Sequence, residues 1–200
     1  MFARKLLPAL LVVLSAFAVR SAKANTISGT FPTDDQINLY TTTLTSSQTF
    51  TVNTTSYATG GFVPVLTLFN ADGSPITPSV TGGVIDPATM LANDAFISQV
   101  LGPGTYLLTL SEFPNGALGG ANDPFLFEGQ GNFTPSLCPT STGTAFLESD
   151  ISPCAQRTSS FSLTSNATLT PSSVTPEPAT WILVLPATGL LLAFGKRSIA

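Results

Sequence analysis

Between residues 37 and 165 much of the chain alternates apolar and polar positions at the period of two expected of a strand with one buried and one solvated face. Phe50, Val52 and Thr54 share one face of a run over 48–55, and Tyr106, Leu108 and Leu110 share one face of a run over 105–110. Residues 62–69 are nearly all apolar, the pattern of a strand in the middle of a sandwich. Pro64 cannot donate to a ladder, so it predicts a bulge or an unpaired edge within that run. Further strands are predicted over 37–44, 95–101 and 160–165, the last carrying Phe161 and Leu163. Thr45-Ser46-Ser47 separates 37–44 from 48–55 and predicts a hairpin; Gly102-Pro103-Gly104 joins 95–101 to 105–110 in a second strand, turn, strand unit. Asp72-Gly73 supplies the positive-φ residue a tight connection needs. Gly, Pro, Thr and Asp dominate 77–93, which reads as a long loop with at most a short strand, and 112–123 is a further Gly/Asn/Pro-rich loop.

Two apolar runs break this pattern, and both read as targeting segments. Residues 1–24 begin with Arg4 and Lys5, continue through an apolar stretch over 6–19, and close on Ala22-Lys23-Ala24, the layout of a cleaved secretory signal. Ala16-Phe17-Ala18 offers a second cleavage position. From Trp181 to Phe194 there is no charge, so the segment would expose on the order of a thousand Å² of apolar surface to water. Pro186 and Gly189 fit a helix in lipid better than one in a protein core. Residues 179–195 give about 17 positions and roughly 25 Å of helix, the short end of what spans a bilayer. Lys196 and Arg197 after the run, against Glu177 before it, predict a cytoplasmic C-terminal side and an exported remainder.

Pro176-Glu177-Pro178, the short apolar helix and the basic pair Lys196-Arg197 together resemble the PEP-CTERM sorting domain of Gram-negative bacteria, over residues 176–197. The resemblance implies a membrane-embedded exosortase as partner, processing near the tripeptide, and an association with exopolysaccharide and biofilm. The alternative is a plain C-terminal anchor behind a proline-rich linker. The expected organisation is a signal peptide over 1–24, an ectodomain over 25–165, a Ser/Thr/Pro spacer over 166–175 and the sorting and anchor segment over 176–200.

Charge narrows the partners. Six of the seven Lys and Arg lie in the targeting segments, leaving Arg157 against eleven acids between residues 25 and 178, a formal charge of −10. One cation cannot neutralise a run of phosphates or sulfates, which excludes nucleic acid as a partner. Neutral sugars and divalent cations stay open. A stretch rich in Thr, Ser, Gly, Pro and Phe and poor in Lys and Met suits strands and turns, so the ectodomain is all-β. Cys138 and Cys154 fall in the exported part, where an oxidising compartment favours pairing; the closed loop stabilises by roughly 3 kcal/mol on the chain-entropy model. The competing reading, a reactive thiol or a metal pair, has no histidine to activate or complete it.

A second resemblance covers residues 29–113. Asp34-Asp35 leading into Ile37-Asn38-Leu39-Tyr40, the run Gly61-Phe62-Val63-Pro64-Val65-Leu66-Thr67-Leu68-Phe69, Asp72-Gly73, and Leu101-Gly102-Pro103-Gly104-Thr105-Tyr106 follow one another as in the bacterial pre-peptidase C-terminal domains. That resemblance implies a single jelly-roll-like β-sandwich and a non-catalytic module. It stops at Phe113, and the cysteine-bridged segment has no counterpart in it.

Candidate chemistry is sparse. With no histidine the commonest general base is missing. Asp34, Asp35, Asp86, Asp94, Glu112 and Asp123 could form a carboxylate pair, but each sits beside turn residues, where such acids are ordinary. No Gly-x-Ser-x-Gly occurs. No catalytic residue is assigned. A structural calcium is the better use of so many acids, with Asp34, Asp35, Asn93 and Asp94 as candidate ligands, although no EF-hand loop is present. Asn53, Asn132 and Asn166 stand in Asn-x-Ser/Thr contexts that a Ser/Thr-rich chain produces by chance. Tyr57, Phe62, Phe113, Phe125 and Phe127, if exposed, would make a sugar-stacking platform; in a sandwich they are more often core. The expectation is a non-enzymatic surface or matrix protein, with a carbohydrate-binding module or an accessory domain of a secreted enzyme system as alternatives.

Overall fold

The computed structural model describes residues 24–149 and 154–172. Its strands are β1 (Asn25–Thr30), β2 (Asn38–Leu44), β3 (Gln48–Thr54), β4 (Pro64–Asn70), β5 (Pro75–Ser79), β6 (Phe96–Leu101), β7 (Gly104–Glu112), β8 (Leu147–Glu148), β9 (Ala155–Gln156), β10 (Ser160–Ser165) and β11 (Thr170–Ser172). One turn of helix, α1, spans Thr134–Leu137. A four-stranded sheet in the order β1-β10-β3-β6 faces a five-stranded sheet in the order β11-β2-β7-β4-β5, and β8 pairs with β9 apart from them. The fold is the expected all-β sandwich, with every strand pair antiparallel.

The alternation read along the chain becomes the core. Phe50, Val52, Ile97 and Leu163 from one sheet meet Tyr40, Leu44, Leu66, Leu68, Leu108 and Leu110 from the other. Phe31 lies between Phe62 and Phe161, with ring centroids 4.7 Å and 5.4 Å away. Such offset and edge contacts add to the area the rings bury.

The predicted hairpin over 37–55 is not a hairpin, and the strand, turn, strand unit over 95–110 does not close within one sheet. β2 and β3 lie in opposite sheets, so the 45–47 connection is an arch across the sandwich. β6 and β7, joined through Gly102-Pro103, are likewise split between sheets. Period-two alternation says which face of a strand is buried but not which strand lies beside it. Two strands whose apolar faces oppose each other across a core give the same pattern as two that share a sheet.

Pro64 neither bulges the strand nor places it at an edge. It is the first residue of β4, where a missing N–H costs little, and β4 runs inside the sheet between β7 and β5. The irregularity comes later, between Leu68 and Phe69. The Asp72-Gly73 turn forms as predicted, with Gly73 at φ +86°. β5, which ends at Ser79, is the short strand that the reading of 77–93 allowed, and β1 is a strand the pattern did not single out. The stretch read as a spacer over 166–175 also changes: Leu169 is in the core and Thr170–Ser172 pairs with β2. The sandwich therefore extends beyond residue 165.

The outer face of the five-stranded sheet is covered in part. Leu66 and Leu68 point into the core, so Val65, Thr67 and Phe69 point away from it, yet all three are buried. So are Thr109 and Ser111 beside them on β7. The following segment is pinned back here, with Ser111 Oγ donating to Asn115 O at 2.6 Å and Ala121 N to Gly73 O at 2.8 Å.

Candidate functional site

Two buried polar centres tie the loops to the sandwich. The first is Asp34, fully buried ahead of β2. Its carboxylate accepts from Phe133 N at 2.6 Å, Thr134 N and Phe146 N at 3.2 Å each, and the Thr134 hydroxyl. Asp34 N donates in turn to Asn132 Oδ1 at 3.2 Å. Asp35 beside it accepts from Thr33 Oγ1 at 2.6 Å and Gly131 N at 2.8 Å. The pair thus holds the start of α1 and the approach to β8 by the charge-assisted bonds that a buried carboxylate needs.

Glu112, buried at the end of β7, feels Asp34. Burial, and next the charge of Asp34, push its carboxyl up to about 10, so it is a neutral acid at physiological pH. Its Oε2 has no hydrogen-bond partner among the described residues.

The second centre is Arg157, the sole cation among the described residues. Its guanidinium carbon stands 3.9 Å from the centroid of the Tyr57 ring, and Nε donates to Gly61 O at 2.9 Å. Nη2 donates to Tyr57 O, and Nη1 reaches Asp86 Oδ2 at 3.4 Å. Glu148 Oε2 lies 3.9 Å from Nε. The Tyr57 hydroxyl donates to Glu148 Oε1 and lies 3.1 Å from Thr89 Oγ1. Burial first, and the Glu148 carboxylate next, push the Tyr57 phenol up to about 12. Asp86 is held below the usual carboxylate range by the Ala88 N–H above all, despite its burial, with Thr89 and Arg157 adding to the effect. A planar guanidinium that stacks and donates at several angles is what such a junction needs.

The proposed calcium ligands are not assembled into one site. Asp34 and Asp35 hold the 131–146 segment. Asp94 accepts from Thr54 Oγ1 at 2.7 Å, Tyr57 N at 3.0 Å and Ala58 N at 2.8 Å, fixing the turn at Tyr57–Thr59. Asn93 precedes it in the loop before β6. Among the described residues no three His, Cys, Asp or Glu side chains are grouped to hold a metal ion. Asp123, in the other carboxylate reading, accepts from Gly120 N at 2.6 Å.

The aromatics follow the core reading rather than the platform. Tyr57 and Phe62 are fully buried, and Phe125 is 6% exposed. Phe113 and Phe127 are half-buried, and Phe127 stacks on Phe133 at 4.2 Å with the rings 3° from parallel. These rings pack because burying them is worth more than any exposed stacking surface. Asn166 has a structural use: its Oδ1 accepts from Thr51 N at 2.9 Å and its Nδ2 donates to Thr49 O at 2.8 Å.

Cys138 and Cys154 form the expected disulfide. Pro176, Glu177, Pro178, Lys196 and Arg197, like the residue 1–23 part of the signal, lie outside the described residues. The Arg157 centre was missed by motif reading because it obeys none. Its only trace in the sequence is the charge count, one cation against eleven acids between residues 25 and 178, which singles out Arg157 without saying which acids meet it. A groove of about 440 Å³ opens between the sheets beside Ile27, Asn38, Tyr40, Phe161 and Pro171, and a cleft of about 370 Å³ lies between Asp72 and Asp123.

Fold and site thus define an all-β sandwich whose carboxylates and arginine serve as staples for long loops. No family model and no curated protein matches the chain. Among solved structures, the pre-peptidase C-terminal domain of collagenase from Bacillus anthracis is similar, at 18% identity and a TM-score of 0.35, over 46% of this chain and 79% of that one.

Proposed function

We propose that this chain is an exported bacterial surface or matrix protein, sorted through a PEP-CTERM segment, whose sandwich is a non-catalytic display module. The observation that carries this reading is the pairing of two addresses in one sequence. Residues 1–24 have the charged, apolar and small-residue zones of a secretory signal, and 176–197 combine Pro176-Glu177-Pro178, an apolar stretch and Lys196-Arg197. A formal charge of −10 over residues 25–178, with one arginine, supports a role away from polyanions. The use of Asp34, Asp35, Asp86 and Asp94 as acceptors for backbone N–H groups supports a structural role over a catalytic one. In this reading the partner is an exosortase-type processing enzyme, the tail passes through the inner membrane, and the released module joins an exopolysaccharide matrix.

The two prolines restrict φ and disfavour α-helix at Thr175 and Glu177, which suits an extended, accessible substrate for processing. Mass spectrometry of the protein from cells carrying an exosortase is expected to find a C-terminus near Pro178. Replacing Pro176, Glu177 and Pro178 together by alanine is expected to leave the apolar segment attached and the protein in the inner membrane. A wild-type chain that persists through Ala200 in those cells would reduce the segment to a plain anchor.

A further inference from the structure

Among the described residues the sandwich has four edge strands, and they are not equally protected. β5 carries Pro75 and Pro78, and β11, three residues long, carries Pro171. Proline and brevity both discourage pairing with another chain. β1 and β6, the two edges of the four-stranded sheet, have neither proline nor charge. They differ in what they show to solvent. β1 exposes Thr26, Ser28 and Thr30, whereas β6 exposes Phe96 at 42% and Val100 at 72%, with Ser98 between them. The loop that docks beside β6 through Gly83 N to Asp94 O, 2.8 Å, adds exposed Val84, Ile85 and Met90.

The hydrogen-bond parity of β6 shows what remains open. Thr54 N donates to Ala95 O at 3.0 Å, so Ala95 and, by alternation, Ile97, Gln99 and Leu101 turn their backbone groups toward β3. Phe96, Ser98 and Val100 turn theirs outward. Phe96 N is capped by Ser79 Oγ at 3.2 Å, and Val100 O receives only a 3.5 Å contact from Gln99 Nε2. The N–H and C=O of Ser98 and the N–H of Val100 find no partner among the described residues.

We propose that β6 is a self-association edge, filled by β6 of a second copy running antiparallel about a two-fold axis at Gln99. This register sets Ser98 opposite the partner's Val100 and Val100 opposite the partner's Ser98. The open groups of each copy then meet those of the other, which is the self-complementarity a two-fold interface requires. The four-stranded sheets join into one continuous sheet across both copies, and Phe96, Val100 and the neighbouring loop residues supply apolar area to bury. The matching parity of the open groups at Ser98 and Val100 selects a second copy as the occupant, and charge permits it. Residues 25–178, with a formal charge of −10, repel their own kind over most of their surface, but β6 and Val84, Ile85 and Met90 carry no charge. Asp86, in the same loop, is buried against Arg157. Two copies meet where neither presents a charge, while a strongly charged partner finds nothing here to pair with.

The exported protein, purified as the chain its cells produce, tests this by sedimentation and by cross-linking. The wild type is expected to sediment as a dimer, and Val100→Lys, at an exposed position, to weaken association at least about tenfold. The circular dichroism of the variant should be unchanged. No free cysteine is present among the described residues, so Gln99→Cys adds a single thiol that faces its own copy across the axis. Oxidised Gln99→Cys should run as a covalent dimer on a non-reducing gel, while Thr26→Cys on the opposite edge should not. A wild type that stays monomeric at about 100 μM, a dimer untouched by Val100→Lys, or equal cross-linking from positions 99 and 26 would each overturn the proposal.

Discussion

Asp34 concentrates much of the loop architecture in one side chain, since its carboxylate gathers donors from 133, 134 and 146. Asp34→Ala would strand several buried donors at once, and a loss above about 3 kcal/mol is expected in a denaturant titration. Arg157→Ala would leave Glu148 and Asp86 without their buried counter-charge, an expected cost of about 3–5 kcal/mol by the same measurement. Arg157→Lys should recover only part of that, because an ammonium does not stack on Tyr57 while donating in a fork. Glu112 makes a pH prediction. Its carboxyl ionises near 4.5 in an unfolded chain and near about 10 in the fold, so between those values the unfolded state binds fewer protons. The Glu112 contribution to stability is therefore fully present below pH 4.5 and falls as pH rises toward 10. Asp72 and Asp86, held low by hydrogen bonds, act in the opposite sense and below that window. Thermal unfolding between pH 5 and 9 should show the melting temperature falling with pH in the wild type and flattening in Glu112→Gln.

At the scale of elements, the disulfide and the Arg157 centre act on the same segment. Cys138 caps α1, Cys154 precedes β9, and the 16-residue separation between them contains β8 with Glu148. Replacing both cysteines by serine is expected to cost about 3 kcal/mol, with amide exchange rising most in β8 and β9. Exchange that rises uniformly over the sandwich would mean that the bridged segment is part of the core's cooperative unit. The strands themselves were largely legible. Phe50 and Val52, or Leu108 and Leu110, announce their buried face by spacing alone, because a half-buried strand has no other way to satisfy both its sides. β1 was harder to read, since Asn25–Thr30 offers a single large apolar residue, Ile27, and owes its place to pairing with β10. The three residues of β11 are set by β2 in the same way.

For the whole molecule, the boundary of the sandwich has a direct consequence. A chain ending at Ser165 would lose Leu169 from the core and β11 from the edge of the five-stranded sheet, exposing β2. Thermal unfolding should show a lower melting temperature for that truncation than for one ending at Ser172; equal values would restore residues 166–175 to a mere spacer. The sequence by itself determined the all-β class, the inward faces of the main strands, the pairing of Cys138 with Cys154 and the turn at Asp72-Gly73. Each of these follows from near neighbours in the chain, through side-chain period, backbone freedom or the scarcity of alternatives. Which strands lie side by side was decided only in three dimensions. An arch and a hairpin bury the same residues, so β2 and β3 could part into opposite sheets without a change in pattern. The same holds for the site. Asp34 finds Phe133, and Arg157 finds Tyr57, across a hundred residues or so, and such partners are chosen by the packing that brings them out of water together.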